Sequence, residues 1–249
     1  MSFSVILPTL NENGHITKLI SEIADIFTNA RFEFEIIVVD DNSDDGTYET
    51  VKKFQDKKPF LKVLLRKKGK KNLANSINDG IKISKFDNII WLDADFQHPP
   101  KYIKDFIQKS ENYDVIVSSR FLSSSERYFE NKNFEKEINE NQSYFYNKLC
   151  RFLLYKDITD YTSGFICVKK KFFKNYKLKG YYGDYFVDMI VNFKKQKLKI
   201  IEIPFRDDLR ASGKSKTLVN INLKYIYTCI RYLLTLIISF LKSKIISNR

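Results

Sequence analysis

Asn88-Ile89-Ile90-Trp91-Leu92-Asp93-Ala94-Asp95-Phe96-Gln97 decides how this chain is read, because a short apolar run ends in two carboxylates and an amide. An apolar run of this length bounded by polar residues has the pattern of a buried strand in a parallel sheet. Side chains alternate along an extended chain, which predicts Asp93, Asp95 and Gln97 on one side. Three hard oxygen donors at a strand end suit Mg²⁺ or Mn²⁺ and not zinc. An isolated Asp-x-Asp is more often a solvated turn than a site, so the surrounding sequence has to decide.

Outward from this stretch, short apolar runs at 3–8, 34–40, 61–66 and 114–120 read as further buried strands. Between them, 15–27, 47–54, 73–83 and 100–107 keep the three-and-four spacing of amphipathic helices. Strand, helix, strand in repetition predicts an α/β fold with a doubly wound sheet, whose ligands bind outside the carboxyl ends of the strands. Asp40 and Asp93 both stand at such ends. Residues 121–141 turn Ser-rich and then charged and Asn-rich, the composition of a surface loop over the site. A helix is expected over 142–154, a loop over 157–164 and a short strand over 165–168.

The 249 residues suffice for one α/β domain with an appendage. Three scattered cysteines and two histidines make neither a disulfide framework nor a zinc site, which points to a reducing compartment. The strand-like start, Phe3-Ser4-Val5-Ile6-Leu7, predicts no signal peptide. The net charge of +13 is uneven: residues 1–168 hold 24 Lys and Arg against 25 Asp and Glu, residues 169–249 hold 19 against 5. That basic third contains a helical stretch, about 218–246, with an apolar run from Tyr232 to Leu241 between Arg231 and Lys242. The run covers only ~15 Å as a helix, about half of a bilayer core. Lying in the interface, with Tyr225, Tyr227 and Tyr232 at headgroup level, is the favoured reading; folding onto the domain and spanning the bilayer are the others.

Three further segments carry polar residues at strand ends. In Pro8-Thr9-Leu10-Asn11-Glu12-Asn13, helix capping by Asn11 would suffice as an explanation. In Val38-Val39-Asp40-Asp41-Asn42-Ser43-Asp44-Asp45-Gly46-Thr47, Asp-Gly signals a turn and Ser43 or Asp44 a cap, but neither accounts for Asp40. A carboxylate directly after an apolar strand is placed to accept from a ribose or base. Arg120 closes the fifth strand.

Taken in order, Pro-Thr-x-Asn-Glu, Val-Asp-Asp-Asn-Ser-x-Asp-Gly-Thr, Asp-Ala-Asp-x-Gln-His-Pro, Ser-Ser-Arg, Thr-Ser-Gly-Phe and Arg-x-x-Gly-Lys-Ser-Lys resemble glycosyltransferase family two. Within it, the later motifs are similar to those of dolichol-phosphate mannose synthases and other polyprenyl-phosphate glycosyltransferases. The resemblance implies a GT-A fold over 1–217, a Rossmann-like, mostly parallel sheet with flanking helices, followed by an amphipathic tail over 218–249. It implies nucleotide-sugar contacts from Pro8, Glu12, Asp40 and Asp93, and a metal held by Asp93, Asp95 and Gln97. It further implies an acceptor phosphate held by Arg120, Arg127 and Ser215, and catalytic roles for Asp95, Arg120, Arg210 and Lys216. The chain departs from the family at Asn72-Leu73-Ala74-Asn75-Ser76, where Gly-Leu-Gly-x-Ala is common, and at Tyr185-Phe186-Val187-Asp188, where Phe-x-x-Glu is usual.

The function so implied is metal-dependent, inverting transfer of a hexose, mannose from GDP-mannose, to a polyprenyl phosphate at the cytosolic membrane face. The expected partners are the nucleotide sugar, the lipid phosphate and the membrane surface, with no nucleic acid. A related transferase acting on a sugar hydroxyl would need a base, for which Asp188 is the fallback. A nucleic-acid-binding protein or an inactive relative are the remaining rivals.

Overall fold

The structure is a computed structural model and describes residues 1–67, 71–122, 134–180, 182–206, 208 and 223–244. Its strands are β1 (Ser2–Thr9), β2 (Glu33–Asp40), β3 (Leu61–Leu65), β4 (Asn88–Trp91), β5 (Val115–Ser119), β6 (Ile166–Lys169) and β7 (Ile200–Pro204). Its helices are α1 (Ile16–Ala30), α2 (Thr47–Gln55), α3 (Leu73–Ile83), α4 (Ile103–Lys109), α5 (Phe134–Leu153), α6 (Tyr185–Lys195) and α7 (Leu223–Lys244).

The strands form one sheet in the order β3-β2-β1-β4-β6-β5-β7. All neighbours run parallel except β6, which is antiparallel to both β4 and β5. From β1 the chain winds outward through β2 and β3, then returns to place β4 on the other flank of β1. That reversal is the switch point where an α/β sheet opens a crevice at its carboxyl edge. Because β6 runs backwards, with Ile166 beside both Trp91 and Val117, its entry loop reaches the same edge. The exit of β7 arrives there too, with Phe205 N–H donating to the Ser119 carbonyl at 3.1 Å.

Alternation along the buried strands divides the core between the two faces of the sheet. Val5, Leu7, Ile36, Val38 and Ile90 pack on one side with α1 and α4. Ile6, Ile37, Val39, Ile89 and Trp91 pack on the other with α3 and α6. Within this core Glu35 is buried, accepting from Ser4 Oγ at 2.6 Å and pairing with Lys62 Nζ at 2.7 Å. Burial opposes its charge, but the Lys62 and Ser4 side chains and the Lys85 amide outweigh it and hold the carboxyl below its ordinary value of about 4.5. A depressed acid contributes stability above its unfolded pKa, and that contribution is lost as pH falls through the folded value. The urea midpoint of the wild type is therefore expected to fall more steeply below pH ~4.5 than that of Glu35→Gln, and parallel slopes would contradict this.

Most expected elements stand within two residues of their predicted ends. Two were not expected, α6 and β7. The helix over 142–154 begins earlier, at Phe134, so part of the expected surface loop is helical; residues 123–133 lie outside the described residues. The fourth strand ends at Trp91 instead of Asp93. Asp93 to Gln97 therefore lie in a turn, with Phe96 at φ 66°, and strand alternation is not what sets their directions.

Candidate active site

The loop after β1 is laced to the loop after β2. Asn11 N–H donates to Ser43 Oγ at 2.9 Å, Asp44 N–H to Asn11 Oδ1 at 3.1 Å, and Glu12 N–H to Thr47 Oγ1 at 2.9 Å. Asn11 thus bridges two loops in a left-handed conformation, φ 60°, and does not cap α1, whose N-cap is His15. Nor do Ser43 or Asp44 cap α2: its N-cap is Gly46, and Asp45 Oδ1 accepts from Thr47 N–H at 3.0 Å. Glu12 is buried with Oε2 at 3.1 Å from His15 Nε2, and Pro8 is half-buried at the end of β1.

Asp40 is fully buried. Its Oδ1 accepts from Ser43 N–H at 2.8 Å, and its Oδ2 accepts from Ser43 Oγ at 2.6 Å and Thr9 Oγ1 at 3.0 Å. Its neighbour Asp41 pairs with Arg66 and accepts from Asn72 N–H at 2.6 Å. Arg66 also donates to Asp79 at 2.8 Å, so the start of α3 is tied to the end of β2. Asn72 caps α3 through Asn75 N–H and donates its amide to the Gly180 carbonyl at 2.8 Å. The departure from the family pattern at Asn72 is thus structurally occupied.

On the other flank of β1, the Asp93 N–H donates to His98 Nδ1 at 3.0 Å, which leaves the proton of the neutral imidazole on Nε2. The His98 ring stacks on Phe165 at 5.2 Å and lies against Gly164, whose φ of 72° marks the tight entry to β6. This contact pins the carboxylate turn to the Thr162-Ser163-Gly164-Phe165 motif. Asp95 is buried and its Oδ1 accepts from Gln97 N–H at 3.0 Å, so the turn orients its own carboxylate. Downstream of β7, Asp208 N–H donates to the Gln97 carbonyl at 3.2 Å.

Among the described residues no group of three or more carboxylate, imidazole or thiol side chains could hold a metal alone. Asp93 and Asp95 with the Gln97 amide offer hard oxygens only. A cation there would complete its shell from a bound diphosphate and water, the usual habit of Mg²⁺. The donor set fits that ion class.

Arg120 lies just beyond β5. Its Nε and Nη2 fork onto Asp160 at 2.9 and 3.0 Å, and Nη2 also donates to Thr162 Oγ1 at 2.9 Å. Asp160 is fully buried, and its own N–H donates to Glu202 Oε1 at 2.9 Å. Glu202, its carboxyl pushed up by burial, also receives the Thr159 amide and hydroxyl. The guanidinium is therefore aimed by a rigid double layer of acids.

The structure brings Pro8, Glu12, Asp40, Asp93, Asp95, Gln97 and Arg120 to one edge of the sheet, on β1, β2, β4 and β5 or the turns after them. Arg127, Arg210, Ser215 and Lys216 lie outside the described residues. Asp188, the fallback base, is engaged by Lys242 and by Tyr176 Oη at 3.0 Å. Sequence reading did not single out Asp160, Asp184 or the inward role of Tyr232. Asp160, two residues before Thr162, had only its place beside the Thr-Ser-Gly-Phe motif as a signal.

A mixed, mostly parallel seven-stranded sheet with acids at its switch point is an α/β fold that binds ligands at that carboxyl edge. The chain belongs to glycosyl transferase family 2, whose family model matches residues 4–177. It is 30% identical over 217 residues to the dolichol-phosphate mannosyltransferase of Pyrococcus furiosus, covering 87% of this chain and 59% of that protein. It is 27% identical over 248 residues to the dolichol-phosphate mannosyltransferase of Mycosarcoma maydis, covering 90% of this chain and 76% of that protein. In fold it is similar to glucosyl-3-phosphoglycerate synthase from Mycobacterium tuberculosis, solved with Mn²⁺, UDP and phosphoglyceric acid. The TM-score is 0.67 at 15% identity, over 96% of this chain and 78% of that one. At that identity the likeness concerns the fold alone.

Proposed function

We propose that this protein transfers a hexose, mannose from GDP-mannose, to a polyprenyl phosphate with inversion at the anomeric carbon. One observation carries the reading: the Asp93-to-Gln97 turn, suited to a cation on a diphosphate, shares the carboxyl edge of the sheet with a buttressed arginine, Arg120. The two named relatives are mannosyltransferases to dolichol phosphate, which supports the same acceptor class.

In this reading Pro8, Glu12, Asp40 and Asp93 serve the nucleotide sugar. The engagement of Asp40 by Ser43 and Thr9 makes its part the shaping of the nucleoside loop. Asp93, Asp95 and Gln97 would hold Mg²⁺ or Mn²⁺, which when bound neutralises the departing diphosphate. A lipid phosphate monoester, with a second pKa near ~6, is already largely dianionic at neutral pH. It therefore needs steering and no base. Arg120 orients its oxygen toward the anomeric carbon, with Arg127, Arg210, Ser215 and Lys216 assigned to the same phosphates by motif. As that oxygen bonds to the carbon, the bond to the nucleoside diphosphate breaks. A hydroxyl acceptor would need a base, and Asp188, held by Lys242 and Tyr176, is not disposed to be one.

Residues 1–217 form the catalytic region and 218–249 the membrane-associating tail in this proposal. Helix α7 is long and apolar enough over Ile226–Lys244 to cross a bilayer by length and composition. Its inner face, however, is occupied: Arg231 pairs with Asp184 at 3.2 Å, Lys242 with Asp188, and Thr228, Leu236 and Ser239 are buried. Its outer face exposes Ile230, Leu233, Leu234, Ile237, Ile238 and Leu241, each about half accessible. One packed face and one bare apolar face favour lying on a membrane surface, taken in this reading to be the cytosolic one. Leu234→Asp with Ile238→Asp is expected to lower binding to anionic vesicles by about tenfold or more, read by co-sedimentation. Unchanged partition would contradict the placement.

Labelled GDP-mannose and UDP-glucose, each incubated with the protein, Mn²⁺ and a polyprenyl phosphate, test the donor. Label in the organic phase from GDP-mannose alone is the expected result, and label from UDP-glucose alone would replace the hexose assignment.

A further inference from the structure

The geometry points to Tyr232 as a residue of the acceptor side of the site, its phenol donating a hydrogen bond to the anionic head of the acceptor. Helix α7 would then build part of the site as well as tether it. The inference rests on the acceptor reading above.

The tail sequence expects Tyr232 at headgroup level. The structure turns it inward. Its ring meets Tyr146 of α5 edge to face at 5.2 Å, and Tyr146 Oη donates to the Tyr232 carbonyl at 2.9 Å. On its other side lies the turn that starts α6. There a Cβ on Gly183 would lie 2.7 Å from the Tyr232 hydroxyl oxygen. Only a residue without a Cβ lets this turn approach the hydroxyl so closely. A phenol has one donor, so its direction is set by where the oxygen is held.

The surroundings identify what it would donate to. Tyr146, which packs on its ring, precedes Asn147, whose Nδ2 donates at 3.0 Å to the same Thr162 Oγ1 that accepts from Arg120 Nη2 at 2.9 Å, so the ring sits near the arginine assigned to the acceptor phosphate. Asp184 is itself fixed, accepting from Tyr182 N–H at 2.9 Å and from Arg231 at 3.2 Å. The next residue, Tyr185, accepts from Trp91 Nε1–H at 3.0 Å, two residues before Asp93. Contacts therefore run from α7 through the Gly183 turn to the root of the carboxylate turn. A neutral donor beside Arg120 can hold a phosphate oxygen without adding charge to a site already balanced by Asp160 and Asp184.

The test uses the full chain in detergent micelles and three ligands: citronellyl phosphate, citronellol and GDP with Mn²⁺. Tyr232→Phe deletes the hydroxyl and keeps the ring on Tyr146. It is expected to weaken citronellyl phosphate binding about tenfold, the effect of losing one hydrogen bond to a charged group, while citronellol and GDP–Mn²⁺ binding are unchanged. In turnover it raises the acceptor KM and leaves the donor KM alone. Gly183→Ala, which displaces the hydroxyl from the other side, should shift the same quantity in the same direction. A Tyr232→Phe protein that binds citronellyl phosphate like the wild type, or loses GDP–Mn²⁺ equally, overturns the inference and leaves the acceptor reading standing. A wild type that binds GDP–Mn²⁺ but not citronellyl phosphate overturns the acceptor reading and this inference with it.

Discussion

Asp95→Asn is expected to lower turnover by about 10²- to 10³-fold at saturating Mn²⁺, with the fold intact. The two parts of this expectation come from different oxygens. The Oδ1 of Asp95 accepts from Gln97 N–H at 3.0 Å, and the asparagine oxygen can accept the same bond, so the turn keeps its shape. What disappears, in the proposed reading, is the negative charge beside the departing diphosphate, where a bound cation would be worth several kcal/mol of barrier. Initial rates against Mn²⁺ concentration, beside a thermal melt, separate the two. Near-wild-type turnover at saturating Mn²⁺ would remove Asp95 from the metal assignment. A collapse of the melting temperature with no rate change in the surviving folded fraction would make its role structural.

Arg120→Ala should act twice. The acceptor KM is expected to rise tenfold or more while the donor KM holds, because in the proposed reading a cation buttressed by Asp160 is lost from beside the acceptor phosphate. Stability should fall as well, by about 3 kcal/mol, because Asp160 is buried and loses two of its donors. Adding Asp160→Asn to Arg120→Ala removes the stranded charge. The double variant should recover part of the stability and none of the acceptor affinity. Equal effects on donor and acceptor KM would count against Arg120 as an acceptor residue, and recovery of both properties together would reduce it to a structural ion pair. Arg120→Lys, which keeps the charge and loses the fork, should fall between.

The half of the fold built on β1, β2 and β4 was legible because its signals are local. Each of β1, β2 and β4 is a short apolar run, and α1 and α3 keep one apolar stripe apiece, so period and polarity agree. Helix α6 was not legible for the opposite reason. Tyr185 to Val191 is buried on every side, so no stripe separates its faces, and its β-branched and aromatic residues imitate a strand. The edge strand β7 is interrupted by Glu202, whose partners Thr159 and Asp160 are forty residues away in sequence. The same distance hid Asp160, a loop acid until the antiparallel β6 carries its loop to the carboxyl edge. At the carboxylate turn the expected geometry does not hold: β4 stops at Trp91, and His98 with Phe96 sets the turn that alternation was expected to set. In α7 the apolar run was visible and its orientation was not. Which of Arg231, Tyr232 and Lys242 face inward depends on Asp184, Gly183 and Asp188 waiting on α6 and the turn before it.

The central claim is that a lipid phosphate oxygen attacks the sugar, and it is tested by offering the protein a polyprenyl phosphate and the polyprenol of equal length, with labelled GDP-mannose and Mn²⁺. Both acceptors present the same chain to the same membrane face, so only the nucleophile differs. Label in lipid with the phosphate alone, in a product that releases mannose under mild acid, is the predicted result. Label carried equally by the polyprenol, or by a glycolipid hydroxyl while the phosphate stays unlabelled, would contradict the account.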